Sequence, residues 1–167
     1  MKIPSIRKII LKVPYFPQQK RHYTCGPVCI RMVLSYLRKR RLTENEYDEI
    51  LDLTINGNPK LKRGTTKQKM KLAIKKLGFK YNNTYGENGL VKALQKERPV
   101  IAKCLMYDEY GDPYQHYIVI TGQDDEYFFI NDPYAGKPGR IQKDIFMARG
   151  QKLNWGYNKC GIEVYED

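Results

Sequence analysis

The chain has 167 residues, 41% of them hydrophobic, with 14 tyrosines; it is long and apolar enough to bury a core, which excludes a disordered or fibrous protein. Its four cysteines (Cys25, Cys29, Cys104, Cys160) are too few and too scattered for a disulfide framework, and no run approaches the ~20 apolar residues of a membrane span. The net charge of +12 favours an acidic partner or nucleic acid, although no nucleic-acid motif accompanies it; a solvated lysine-rich face is the plainer reading.

One domain over residues 1–167 is expected. Met1-Lys2-Ile3-Pro4-Ser5-Ile6-Arg7 lacks the apolar run of a signal peptide, so the expected location is cytoplasmic. Residues 8–16 read as a strand ending at Pro14, and 17–20 as a loop. Thr24-Cys25-Gly26-Pro27 then opens a helix: Thr24 suits a cap, Pro27 suits the first turn, and Gly26 leaves room for a substrate backbone. Cys29, Met32, Val33, Tyr36 and Leu37 recur at helical spacing, and Arg38-Lys39-Arg40-Arg41 places cations where the helix dipole is negative. Cys25 thus lies where unpaired N–H groups and the positive end of the dipole favour a thiolate. His22 has nothing to orient it and reads as a loop residue.

Thr43-Glu44-Asn45-Glu46 is a capping box for a second helix carrying Tyr47, Ile50, Leu51 and Leu53, broken by Asn56-Gly57-Asn58-Pro59. Thr65-Thr66 starts a third, with Met70, Leu72, Ala73, Ile74 and Leu77 apolar and Gly78 as its stop. Residues 60–76 are rich in lysine. A strand over 79–85, a short helix over 89–97 capped by Asn88, and a strand over 99–107 follow. The stretch 108–114 is a turn-rich loop leading to His116.

Residues 115–133 read as a hairpin, two β-rich runs around Gly122-Gln123-Asp124-Asp125-Glu126. A turn centred on Asp124 sets His116 directly opposite Asp132, with Cβ atoms roughly 5 Å apart, and a one-residue slip would put them on different faces. Asn131 is the alternative orienting residue, facing away in this register. A loop over 134–139, a helical turn over 143–147, and Trp155 with a closing strand over 161–165 complete the chain.

Val13-Pro14-Tyr15, Gln19, Thr24-Cys25-Gly26-Pro27, His116-Tyr117 and Asp132-Pro133, in this order and spacing, resemble the papain-like cysteine peptidases. The nearest likeness is to the double-glycine leader (bacteriocin-processing) peptidases and their stand-alone relatives. The resemblance implies an α+β fold: a helical half, with the nucleophile on its N-terminal helix, packed on an antiparallel sheet half. It implies a cysteine peptidase with Cys25 as nucleophile, His116 as its base, Asp132 as the orienting group, and Gln19 as an oxyanion donor, with Gln18 as its neighbour if the alignment slips. It further implies cleavage after a small or glycine residue through a thioester, a peptide or protein substrate, and no cofactor or metal. The helical block between Cys25 and His116 is where such proteins recognise part of the substrate. An acyltransferase or deamidase on the same fold remains open, as does a catalytically silent peptide- or nucleic-acid-binding module. A zinc site from Cys25, Cys29 and His116 is a weaker alternative.

Overall fold

A computed structural model describes residues 5–18, 23–57, 64–107, 109–147 and 160–167. In chain order its elements are β1 (Ile9–Ile10), α1 (Cys25–Leu37), α2 (Glu44–Ile55), α3 (Lys67–Lys76), β2 (Lys80–Tyr85), α4 (Gly86–Gln95), β3 (Val100–Tyr107), β4 (Pro113–Gln123), β5 (Tyr127–Asn131), β6 (Gly139–Gln142), α5 (Lys143–Met147) and β7 (Cys160–Tyr165). The strands form one antiparallel sheet in the order β2-β7-β3-β4-β5-β6, and β1 adds to β4.

The second and third helices start where their caps say. Thr43 and Glu46 close a reciprocal capping box, and the Thr66 hydroxyl accepts the Lys69 N–H at 3.2 Å. The fourth begins three residues earlier than expected: Tyr85 takes the N-cap position and Asn88 lies inside the helix. The predicted strand over 8–16 shrinks to β1, after which Val13, Tyr15 and Phe16 pack on the core as a strap without regular secondary structure. Leu72 does not join the core and is half exposed. Trp155 and residues 60–63 of the basic stretch lie outside the described residues.

Helix α1 is the centre of the core. Its periodicity suggests one apolar face, yet Cys25 through Ser35 are all buried, because α2, α3 and the sheet surround it. The helix's own cation, Arg31, is taken inside with it. Its guanidinium lies 4.1 Å from the Phe16 ring and 4.8 Å from the Tyr47 ring, and it donates to the Leu42 carbonyl (2.9 Å) and to Glu44 (2.8 Å). The cations after α1 do not sit in its last turn. The helix ends at Leu37, Arg38 and Arg40 turn to Glu46, and Arg41 stacks on Phe16 and donates to the Tyr15 carbonyl.

The β4–β5 hairpin departs from the expected register in a way that matters for the site. The Asp124 carboxylate accepts the N–H groups of Glu126 and Tyr127 at 2.8 and 2.7 Å, so the turn lies farther along than a centre on Asp124. Gln123 pairs with Phe128 and Gly122 with Phe129, an odd displacement that alone would send residues 116 and 132 to opposite faces. A bulge between Ile120 and Gly122 absorbs one residue, and beyond it Ile120 pairs with Ile130 and Val119 with Asn131. The net slip is even. Continuing the register, Asp132 opposes Ile118, and His116 is its diagonal neighbour on the same face.

Candidate active site

Cys25 is the first residue of α1, where the N–H groups of the opening turn have no intrahelical partner. Thr24 does not cap the helix with its side chain; its hydroxyl bonds the Tyr47 phenol, while its carbonyl accepts the Val28 N–H at 2.9 Å. Gly26 leaves room for the chain's own packing, not for substrate. A Cβ there would stand 2.3 Å from the Thr65 methyl and 3.0 Å from the Met70 sulfur. The segment leading into α3 is thereby pressed against the residue after Cys25, and Tyr117 pins it by donating to the Thr65 carbonyl at 3.3 Å.

His116 is buried on β4 and hydrogen-bonds Cys25. Its Nε2 lies 2.6 Å from Oδ1 of Asp132, which leaves Nδ1 for the sulfur. Burial works against the charged imidazole, but the hydrogen bonds to Asp132 and Cys25, and the charges of both, outweigh it and raise His116 to about 9. Burial likewise works against the Asp132 carboxylate. The His116 bond and charge, with the Tyr134 N–H at 2.9 Å, still hold it below its ordinary value. The Tyr114 ring stands edge-on to His116 with centroids 6.1 Å apart. The site can therefore hold an imidazolium against a carboxylate, with the Cys25 sulfur on the other side of the ring.

The other cysteines whose side chains are described do not join this row. Cys29 lies one turn along α1 from Cys25, and Cys104 pairs with His116 across β3 and β4. Both are fully buried, and burial above all pushes their thiols well up, so they stay neutral. Among the described residues no group of three or more His, Cys, Asp or Glu could hold a metal ion.

Asn131 is buried and gives its amide to the Val13 carbonyl at 3.2 Å. Gln19 and His22 lie outside the described residues. Gln18 is described, and its N–H donates to the Pro133 carbonyl at 2.8 Å, so Gln18 lies beside the Asp132 loop. Tyr15 had no stated role in the sequence beyond its motif. Its hydroxyl donates to the Asp132 carbonyl at 2.7 Å and accepts the Gly136 N–H at 2.8 Å. Only the strap's path, which no local pattern encodes, brings it there.

Residues 10–162 match the model of the Peptidase_C39 like family. No curated protein matches the chain significantly. Among solved structures, a C39-like protein from Bacillus anthracis superposes with a TM-score of 0.70 at 17% identity, over 97% of this chain and 99% of that one. The peptidase domain of Streptococcus ComA, a bifunctional ABC transporter involved in a quorum-sensing pathway, gives 0.62 at 23% identity, over 91% and 97%. A double glycine motif protease from an AMS/PCAT transporter, solved with its leader peptide, gives 0.56 at 20% identity, over 98% and 97%. The α+β architecture of a helical layer on an antiparallel sheet is shared with all three.

Proposed function

Because the chain belongs to the Peptidase_C39 like family, and is a papain-like cysteine peptidase, we propose that it hydrolyses a peptide bond after a small or glycine residue through a Cys25–His116–Asp132 triad. The observation that carries this reading is the hydrogen-bonded row from Cys25 through His116 to Asp132 at the mouth of α1. Cys25 attacks the scissile carbonyl as a thiolate. Its proton rests on His116, which then delivers it to the leaving amine; water releases the acyl group from the thioester. Asp132 fixes the imidazole tautomer and favours its charged form. The oxyanion is taken by the Cys25 N–H and by Gln19, with Gln18 in that role if the alignment slips by one residue.

The glycine preference rests on the double glycine motif protease among the structural neighbours. The helical block holding α2 and α3 lies between Cys25 and His116 and is the surface we assign to substrate recognition. The lysines of α3 make an acidic stretch of the peptide a fitting occupant.

Iodoacetamide labelling near pH 6, followed cysteine by cysteine, tests the reading. Cys25 is expected to react fast and selectively, and His116→Ala to slow it markedly. A common slow rate at every cysteine would overturn it. Product analysis on a glycine-containing peptide separates hydrolysis from amine transfer and from glutamine deamidation.

A further inference from the structure

We propose that Tyr15 is a positioning residue for the reaction, holding the Asp132 carboxylate in reach of His116 by clamping the loop that carries it. This deepens the triad reading and rests on it.

The loop after β5 needs such a clamp. Asp132 lies one residue past the last residue of β5, so the ladder to β4 does not fix it. Within the loop, the Ala135 N–H returns to the Asp132 carbonyl at 3.1 Å and the Tyr134 N–H to its carboxylate. These bonds shape the turn without anchoring it to the rest of the molecule. Two bonds from the strap supply the anchor: the Gln18 N–H to the Pro133 carbonyl at 2.8 Å, and the Tyr15 hydroxyl. The hydroxyl sits between the Asp132 carbonyl and the Gly136 N–H, donating to the first and accepting from the second, and so bridges both ends of the turn at once. Gly136 can present that N–H because it lies at φ +85, a left-handed conformation that a side chain would strain.

The phenol is suited to a fixed donor role. Burial above all, against the pull of the Gly136 N–H, raises its pKa, and the nearby Asp132 charge adds to the rise. It therefore stays protonated throughout the range in which His116 and Asp132 work. The far side of Tyr15 is held too: Arg41 donates to its carbonyl and stacks on the adjacent Phe16, and Phe16 packs on the buried Arg31. A continuous set of contacts thus runs from α1 through the strap to Asp132.

The bond to the Asp132 carbonyl is partly buried, while the bond from Gly136 is exposed and open to replacement by water. Losing the hydroxyl should therefore cost roughly 3- to 10-fold in rate, the range of one net hydrogen bond. Tyr15→Phe is the test, with Tyr36→Phe as matched control. The Tyr36 hydroxyl also donates to a backbone carbonyl, that of Glu97 at 3.1 Å, away from the site. The chain holds two histidines, so the imidazole of His116 can be titrated by NMR apart from any turnover.

Tyr15→Phe is expected to lower the His116 pKa, to lower kcat for peptide hydrolysis roughly 3- to 10-fold with KM little changed, and to move the alkaline limb of the rate to lower pH. Tyr36→Phe should leave all three as in the unsubstituted protein. An unshifted His116 titration in Tyr15→Phe, or an equal shift in Tyr36→Phe, overturns the proposal. Failure of the triad itself reads out elsewhere, as hydrolysis that survives His116→Ala.

Discussion

His116 and Asp132 meet on the diagonal of two strands, with Nε2 and Oδ1 2.6 Å apart and the carboxylate carried one residue beyond the end of its strand. This contact orients the imidazole and, together with Cys25, favours its charged form against burial. Asp132→Asn keeps the shape and removes the charge. His116 should then fall from about 9 toward its ordinary 6.5, and the alkaline limb of kcat/KM should move with it. At neutral pH the rate is expected to drop roughly tenfold or more, as the imidazolium fraction and its orientation are both lost. A pH–rate profile on any cleaved peptide checks it; an alkaline limb left in place would show that Asp132 does not govern His116.

The same coupling makes stability depend on pH. His116 is raised in the folded protein, so its contribution is complete below about 6.5 and is lost as pH climbs through about 9. With its side chain 5% exposed, solvent screening is slight, and the difference corresponds to ~3 kcal/mol across that window. For a chain of this size that is a fall in Tm of roughly 6–12 °C between pH 6 and pH 10. His116→Ala should flatten the curve over the same range, whatever its absolute Tm. Calorimetry at a series of pH values reads this directly.

The pairing of residues 116 and 132 on one face was legible in the sequence, but not by the right register. Alternation fixes parity, and an even slip preserves it. The slip arose because the Asp124 side chain bonds two N–H groups ahead of it, which shifts the turn by an odd number of positions. The bulge near Thr121 then restores the parity, and the Thr121 carbonyl is held there by the Leu11 N–H at 2.7 Å. Neither the side-chain competition nor the bulge is a periodic signal, so counting residues could not reveal them. The helix starts at 43 and 66 were legible because a capping residue acts within its own turn. Tyr15, Gly26 and Arg31 were not legible, because each is defined by a segment distant in sequence: Asp132, Thr65 and Phe16 respectively.

Arg31 should matter to stability far more than its ion pair suggests. Its partner Glu44 has a side chain 80% exposed, and an ion pair so open to water is worth little, about 0–1 kcal/mol. The buried share comes from the two rings and the Leu42 carbonyl. Glu44→Gln is therefore expected to change stability by less than about 1 kcal/mol. Arg31→Ala strands that carbonyl and empties the space between Phe16 and Tyr47, and should cost roughly 2–4 kcal/mol. Arg31→Lys should recover only part, since an ammonium cannot stack as a planar guanidinium does. Denaturant unfolding of the three variants ranks these contributions.

Gly26→Ala offers a test of how tightly the segment before α3 is set against the nucleophile. The added methyl would stand 2.3 Å from the Thr65 methyl, a separation that forces movement, and Met70 closes the other side at 3.0 Å. Overpacking of this kind costs about 1–3 kcal/mol. The displaced Thr65 also carries the carbonyl that Tyr117 bonds, so the floor next to Cys25 should shift and hydrolysis should fall with stability. Thr65→Ser removes the methyl and keeps the hydroxyl that donates to the Thr54 carbonyl. In the double variant, Gly26→Ala with Thr65→Ser, most of the lost Tm and activity should return. If the single Gly26→Ala variant matches the unsubstituted protein, the contact is looser than its geometry implies. If the double variant shows no recovery, the clash lies with Met70.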